Sequence, residues 1–188
     1  MNRFNWGPGG PPPEAYSRIT EPERFAPLHG IVLELLDGLE KTFDVERSEA
    51  YGLAPELEDI ELARPSIRLT PKQDSAAPMT FVFLAFPGIR IQAGSWYSTG
   101  FPGCACDACD ETSDSEAQRL TSMVDDITSG RFREAVHLPN VGDGWQETKF
   151  WSPHGSSGNQ RRLERDRALR MLAGNDSLIF EWQPWTRL

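Results

Sequence analysis

After Thr80, the run Phe81-Val82-Phe83-Leu84-Ala85-Phe86 contains no polar side chain. A strand that is apolar on both faces has to be covered on both faces, so this stretch predicts the centre of a sheet rather than its edge. Pro87-Gly88 is a turn signal. Ile89-Arg90-Ile91-Gln92-Ala93 then alternates, with Ile89, Ile91 and Ala93 directed inward, as the returning strand of a hairpin. That second strand is expected to run on through Trp96 and Tyr97 towards the cysteines. A chain built around such a hairpin needs helices or a second layer to cover it.

The covering helices can be read from their spacing. Thr20-Glu21-Pro22-Glu23 has the form of a capping box. Phe25, Leu28, Val32, Leu35, Leu36, Leu39 and Phe43 follow at helical intervals. Pro27 requires either a short turn before a helix that starts near it, or a kink. His29 lies beside this stripe as a packing residue. Ser113-Asp114-Ser115-Glu116 repeats the capping pattern, with Ala117, Leu120, Val124 and Ile127 as the apolar stripe and Gly130 as the stop. Asn159–Ala173 predicts a third helix closed by Gly174. Val45–Tyr51, Ser66–Thr70, Phe132–Leu138, Trp145–Trp151 and Ser177–Trp182 read as strands, the middle pair joined by the loop Pro139–Gly144. Pro55–Glu61 is an acid-rich loop. The expected fold is α+β, a mostly antiparallel sheet of five or six strands with two to three packed helices. The length of 188 residues fits a single domain over residues 20–188. It is preceded by a flexible Pro/Gly-rich arm over residues 1–19, ending its richest part at Gly9-Gly10-Pro11-Pro12-Pro13.

All three cysteines fall within six residues, in Phe101-Pro102-Gly103-Cys104-Ala105-Cys106-Asp107-Ala108-Cys109-Asp110-Glu111. Cys-x-x-Cys is the usual knuckle spacing, in which a tight turn points two sulfurs at one metal. Thiolate ligands favour zinc or another soft metal over calcium or magnesium. Cys104, Cys106 and Cys109 are three ligands. The fourth candidates are His137, His154, Asp107 and Asp110, with His137 placed off the core face by its alternation with Val136 and Leu138. A redox reading makes Cys106 and Cys109 a dithiol before a helix N-terminus, but the carboxylates of Asp107, Asp110 and Glu111 oppose thiolate formation. A third reading has the cysteines simply filling a tight turn.

The opening Pro11-Pro12-Pro13-Glu14-Ala15-Tyr16-Ser17-Arg18, followed by Glu21-Pro22-Glu23-Arg24-Phe25, resembles that of an uncharacterised actinobacterial family of unknown function. The stretch Cys104-Ala105-Cys106-Asp107-Ala108-Cys109-Asp110-Glu111 resembles that family's second motif. The resemblance covers nearly the whole chain. It implies one domain with the cysteine loop inside it, and no assigned activity.

Charge narrows the partners. The net charge is -9, which repels nucleic-acid backbones and anionic lipid and suits a basic protein partner. The longest apolar run, Met79–Ile89, is too short to span a bilayer. Three cysteines cannot close a disulfide framework, so they read as reduced and the compartment as cytoplasmic. Met1–Pro8 has no apolar core, so no signal peptide is expected. The zinc deaminase signature, His-Glu-x-x-His, the P-loop, Gly-x-Gly-x-x-Gly and Gly-x-Ser-x-Gly are all absent. Arg161, Arg162, Arg165, Arg167 and Arg170 on the third helix read as a solvated face pairing with the acidic body, with polyanion binding as the rival. Gly155-Ser156-Ser157-Gly158-Asn159 reads as a loop before that helix, with anion binding at the helix N-terminus as the alternative. Trp145, Trp151, Trp182 and Trp185 read as sheet-face core, or as the lining of a groove.

Together these features point to a small acidic cytoplasmic interaction or regulatory protein without catalysis, carrying a structural zinc or other soft metal at the cysteine loop. The rivals are a metal- or thiol-dependent enzyme using Cys104, Cys106 and Cys109, and a small-ligand-binding domain with an aromatic pocket.

Overall fold

The apolar run forms the middle of a sheet in the computed structural model, which describes residues 4, 6–54, 60–152 and 155–188. Strand β1 spans Val45–Ala50, β2 Ser66–Pro71, β3 Met79–Leu84, β4 Gly88–Ala93 and β5 Tyr97–Phe101. They form an antiparallel five-stranded sheet in the order β1-β2-β3-β4-β5. The expected central position of β3 is therefore met. The returning strand does not run through Trp96. It stops at Ala93, and Gly94, with φ +60, opens the turn into β5.

Helix α1 (Pro27–Thr42) and helix α2 (Ser113–Thr128) cover one face of this sheet. Leu28, Val32, Leu36 and Leu39 of α1 and Leu120, Val124 and Ile127 of α2 pack with Leu69, Phe81, Phe83, Ile89 and Ile91. The odd-numbered residues of β3 and β4 face the helices, as period-two alternation requires. His29 donates from Nε2 to the Gly88 carbonyl and meets the Phe83 ring edge-on, so it serves packing.

Proline decides where α1 starts. Pro22–Phe25 is a separate 3₁₀ turn and the helix begins at Pro27, where its missing N–H is tolerated. The capping box expected at Thr20 does not form. Thr20 instead donates to Asp107, far along the chain. The second box is displaced by one residue, with Thr112 as the cap and Ser115 bonding back to it.

The remaining strands form a second antiparallel sheet, so the strands divide between two sheets rather than joining one. Strands β6 (Phe132–His137), β7 (Gly144–Ser152), β8 (Gly155–Leu163) and β9 (Ser177–Glu181) are ordered β8-β7-β6-β9. The third helix is shorter than its spacing suggested. Residues 155–163 pair with β7 along their whole length, and only Arg165–Leu172 forms helix α3. A paired strand satisfies every second backbone group of the segment, which overrides its modest helix preference. The Gly155–Asn159 stretch is thus strand and not a helix-terminal anion site. The fold is α+β.

One buried carboxylate joins the two sheets. Glu134 on β6 accepts from the backbone N–H groups of Ser95, Trp96 and Tyr97, at 2.7, 2.8 and 2.6 Å, and from Trp182 Nε1 at 3.0 Å. A buried carboxylate is tolerated when its oxygens are bonded in this way. Around it Phe132 stacks on Phe150 with centroids 4.9 Å apart, and Tyr97 meets both rings edge-on. Trp182 and Trp185 are buried while Trp145 and Trp151 are half-exposed, so the four tryptophans do not line one groove.

Residues 13–19, expected as the end of a flexible arm, are docked on the body. Pro13–Tyr16 forms a 3₁₀ turn, Ala15 is fully buried, and the carbonyls of Ala15 and Arg18 accept from Ala108 and Asp107. The acid-rich loop read at Pro55–Glu61 lies mostly outside the described residues. Among the described residues no helix is long and apolar enough to cross a membrane.

Candidate metal centre

The cysteine loop leaves β5 at Phe101 and enters α2 through Thr112. Two left-handed residues shape it, Ala105 at φ +66 and Asp110 at φ +49. The small Ala105 side chain limits the steric cost of that backbone, and Asp is among the residues that tolerate it best. These turns gather the three sulfurs. The Sγ atoms of Cys104, Cys106 and Cys109 all lie within 4.8 Å of one another. Zinc–sulfur bonds of about 2.3 Å place tetrahedral ligands roughly 3.8 Å apart, so only small shifts separate this loop from a coordinating one. All three thiols are free; Cys104 and Cys109 are exposed, and Cys106 is 3% exposed.

The loop backbone is organised around Cys106. Its sulfur accepts from the Cys109 and Ala108 backbone N–H groups, the pattern of a metal knuckle. Burial pushes the Cys106 thiol up, but the hydrogen bond from Cys104 and those backbone donors outweigh it and hold the thiol below its ordinary value. Hydrogen bonds with Cys106 and Cys104, followed by burial, push Cys109 the other way, up to about 12. Cys106 and Cys109 are therefore shifted in opposite directions by the hydrogen bonds that join them.

The nearby acids do not act as expected. Asp107 does not confront the thiols. Its carboxylate is buried and accepts from Arg18 Nε at 2.6 Å, from the Thr20 N–H at 2.8 Å and from the Thr20 hydroxyl at 2.8 Å. Burial pushes Asp107 up, but these donors win and hold its carboxyl at about 2. Glu111 turns back to accept from the N–H groups of Cys104 and Ala105, at 3.0 and 2.8 Å. Glu116 accepts from the Gly103 N–H at 3.0 Å and from Arg119 Nη2 at 2.6 Å. The acids thus build the loop that carries the cysteines.

Cations complete the frame. Arg24 donates to the Ala105 carbonyl at 2.7 Å and to the Glu111 carbonyl at 3.3 Å. Arg119 donates to the Gly100 carbonyl at 2.7 Å and lies 4.0 Å over the Phe101 ring. Arg18, Thr20, Arg24, Glu116 and Arg119 are functional neighbours that the spacing of the cysteines does not announce. The N-terminal residues among them stand more than eighty positions away, beyond any local pattern.

The candidate fourth ligands separate. His137 lies on β6, paired in register with Trp145, and its ring stacks on that indole at 5.3 Å. The structure does not bring it to the sulfurs, because the strand that carries it belongs to the second sheet. His154 lies outside the described residues. Asp107 is committed to Arg18 and Thr20. Among the described residues no His, Asp or Glu joins the three sulfurs at their mutual spacing. Next to them is a cavity of about 230 Å³, walled by Ile19, Phe86, Ile89, Phe101, Cys104 and Ala105.

No curated protein and no solved structure matches this chain. The match to a family of unknown function (DUF6226) spans residues 3–188, and the chain belongs to that family.

Proposed function

We propose that Cys104, Cys106 and Cys109 bind a soft metal ion, with zinc as the best fit, and that the protein acts as a metal-stapled interaction protein. The observation that supports this most directly is the mutual spacing of the three sulfurs on a loop already fixed by hydrogen bonds. Three sulfurs already gathered on a fixed loop lose little entropy on binding metal. Zinc on this loop would fasten the N-terminal segment, the loop and the start of α2 together, since all three already meet there. Its fourth position would be filled by a protein side chain from outside the described set, this chain's own or a partner's. The acidic surface favours a basic protein as that partner.

The cavity beside Cys104 favours a second reading, a metal-dependent enzyme in which a substrate takes the fourth position. The two readings differ in what an added small ligand does. In an enzyme, an exogenous imidazole or thiol would enter the cobalt-substituted site and change its visible spectrum. In a staple closed by the protein it would not.

The test is elemental analysis of untagged protein purified without chelator. One zinc per chain is expected, lost in Cys109→Ser together with several degrees of thermal stability. Metal-free protein with three freely titrating thiols, after growth in zinc-supplemented medium, would falsify the proposal.

A further inference from the structure

The cysteine loop leaves Arg90, Arg161 and Arg167 unaccounted for. The outer face of the first sheet and the second sheet enclose a cleft of about 590 Å³, within the size range of small-molecule sites. Arg90 of β4, Arg161 of β8 and Arg167 of α3 line it, and among the described residues no Asp or Glu does. The chain carries 28 acidic side chains against 19 basic ones. A concave site with three guanidinium groups and no carboxylate is therefore a local reversal of the protein's charge.

Its walls are fixed. Glu134 holds the Ser95–Tyr97 backbone from behind, which sets Trp96 and Tyr97 along one side. Trp96 is braced edge-on by Phe180, with centroids 5.3 Å apart. On the other side, Gln146 Oε1 accepts from both Nε and Nη2 of Arg161, at 3.1 and 2.8 Å, and so aims that guanidinium. The neighbouring cross-strand pair, Thr148 and Asn159, adds neutral hydrogen-bonding groups. The Nε–H of Arg90 is buried and has no acceptor among the described residues. A buried donor left unpaired is costly, and Arg90 belongs to the cleft's lining, so a ligand oxygen that reached it would relieve that cost.

We propose that this cleft binds an anionic small molecule, one with a phosphate or carboxylate group for Arg90, Arg161 and Arg167 and a ring or apolar body for Trp96. Guanidinium groups grip planar oxyanions through paired donors. The part-buried Trp96 indole beside them supplies an aromatic wall. A cleft of this size admits a metabolite and is too small for a folded protein or a duplex.

The experiment is calorimetric titration of the full chain with inorganic pyrophosphate, citrate and adenosine diphosphate. Saturable binding of one molecule per chain is expected for at least one of these probes. Arg161→Gln and Arg167→Gln should each weaken it by about tenfold or more, the usual consequence of losing a charge-assisted contact. Arg162→Gln should leave it unchanged. Arg162 sits on the opposite face of β8, paired with Asp143 at 2.6 Å. Arg167 is exposed, so its variant tests the site without disturbing the core. Pyrophosphate binding tighter than citrate assigns the site to phosphate, and the reverse order assigns it to carboxylate. Diphosphate nucleotide tighter than pyrophosphate places the ring on Trp96. Absence of binding by all three probes, or binding that both arginine variants leave intact, overturns the proposal.

Discussion

Arg18 and Asp107 stand eighty-nine positions apart and meet at 2.6 Å, with the carboxylate fully buried. This contact is the hinge pin between the N-terminal segment and the cysteine loop, since Thr20 adds two further donors to the same side chain. Its strength depends on charge, and so on pH. Asp107 is held at about 2 against an ordinary value of 3.8. A carboxyl whose folded value is depressed contributes stability that is present above its unfolded value and is lost as pH falls through the folded one. The segment over residues 13–20 should therefore stay docked at pH 6 and loosen between about pH 4 and pH 2. Hydrogen exchange of the Ala108 and Asp107 amides, which bond to Ala15 and Arg18 carbonyls, reads this directly. Asp107→Asn should show the loosened exchange at pH 6. Exchange that is unchanged in both tests would mean the pair does not hold the segment.

Glu134 gives a larger effect. Its removal in Glu134→Ala would leave four donors, the N–H groups of Ser95, Trp96 and Tyr97 and the Trp182 indole, without their acceptor. Even at the low end for unpaired buried groups this costs about 3 kcal/mol or more. Gly94→Ala attacks the same joint sterically. A Cβ at Gly94 would overlap Glu134 Oε2 and approach Trp182 Nε1 to 2.8 Å, and the φ of +60 disfavours any side chain there. Urea unfolding should show both variants well below the parent. A Gly94→Ala protein of parental stability would mean that the two sheets are not locked at this point.

The parts of this architecture that the sequence announces are those set by neighbours along the chain. The Met79–Ala93 hairpin, the stripes of α1 and α2 and the cysteine spacing are all local patterns, and each appears where the pattern puts it. Arg18, Thr20 and Arg24 are invisible for the opposite reason, because they meet the loop through the tertiary fold. His137 shows a further limit. Alternation reads it as off the core face, and it is half-buried beside Trp145, but alternation carries no information about which of two sheets the strand joins. The arginine-rich sequence predicts a helix already from Asn159, whereas pairing with β7 decides the conformation of residues 159–163. The carboxylates near the cysteines read as opponents of thiolate formation, because a sequence shows their charge and not the backbone donors that absorb it.

The three thiols should differ in reactivity when no metal is bound. Cys106 has the depressed thiol yet is 3% exposed, and Cys109 is exposed yet is held as a protonated thiol with its pKa at about 12. The thiolate is the reacting species, so ionisation and access must coincide. At pH 8 iodoacetamide should modify Cys104 first, and peptide mapping should find Cys109 slow until the pH is raised. Fast labelling of Cys106 would mean that the loop opens and that the packed geometry is not the state in solution.

Metal binding should be a proton-releasing reaction. Thiols must lose their protons to become ligands, and a group at about 12 keeps its proton at neutral pH until the metal displaces it. Zinc entry at pH 7 should thus expel the Cys109 proton. Titrations in two buffers of unlike ionisation enthalpy would give heats that differ by the number of protons released. The apparent affinity should rise about tenfold per released proton for each unit of pH, over the range in which the thiols remain protonated. The same analysis on Cys109→Ser separates this site from binding elsewhere, since the displaced proton then disappears with the thiol. Zinc binding whose heat is independent of the buffer would show that the metal does not sit on these sulfurs. That result would leave the loop, with its carboxylate-bonded backbone and its three close thiols, as a packing element alone.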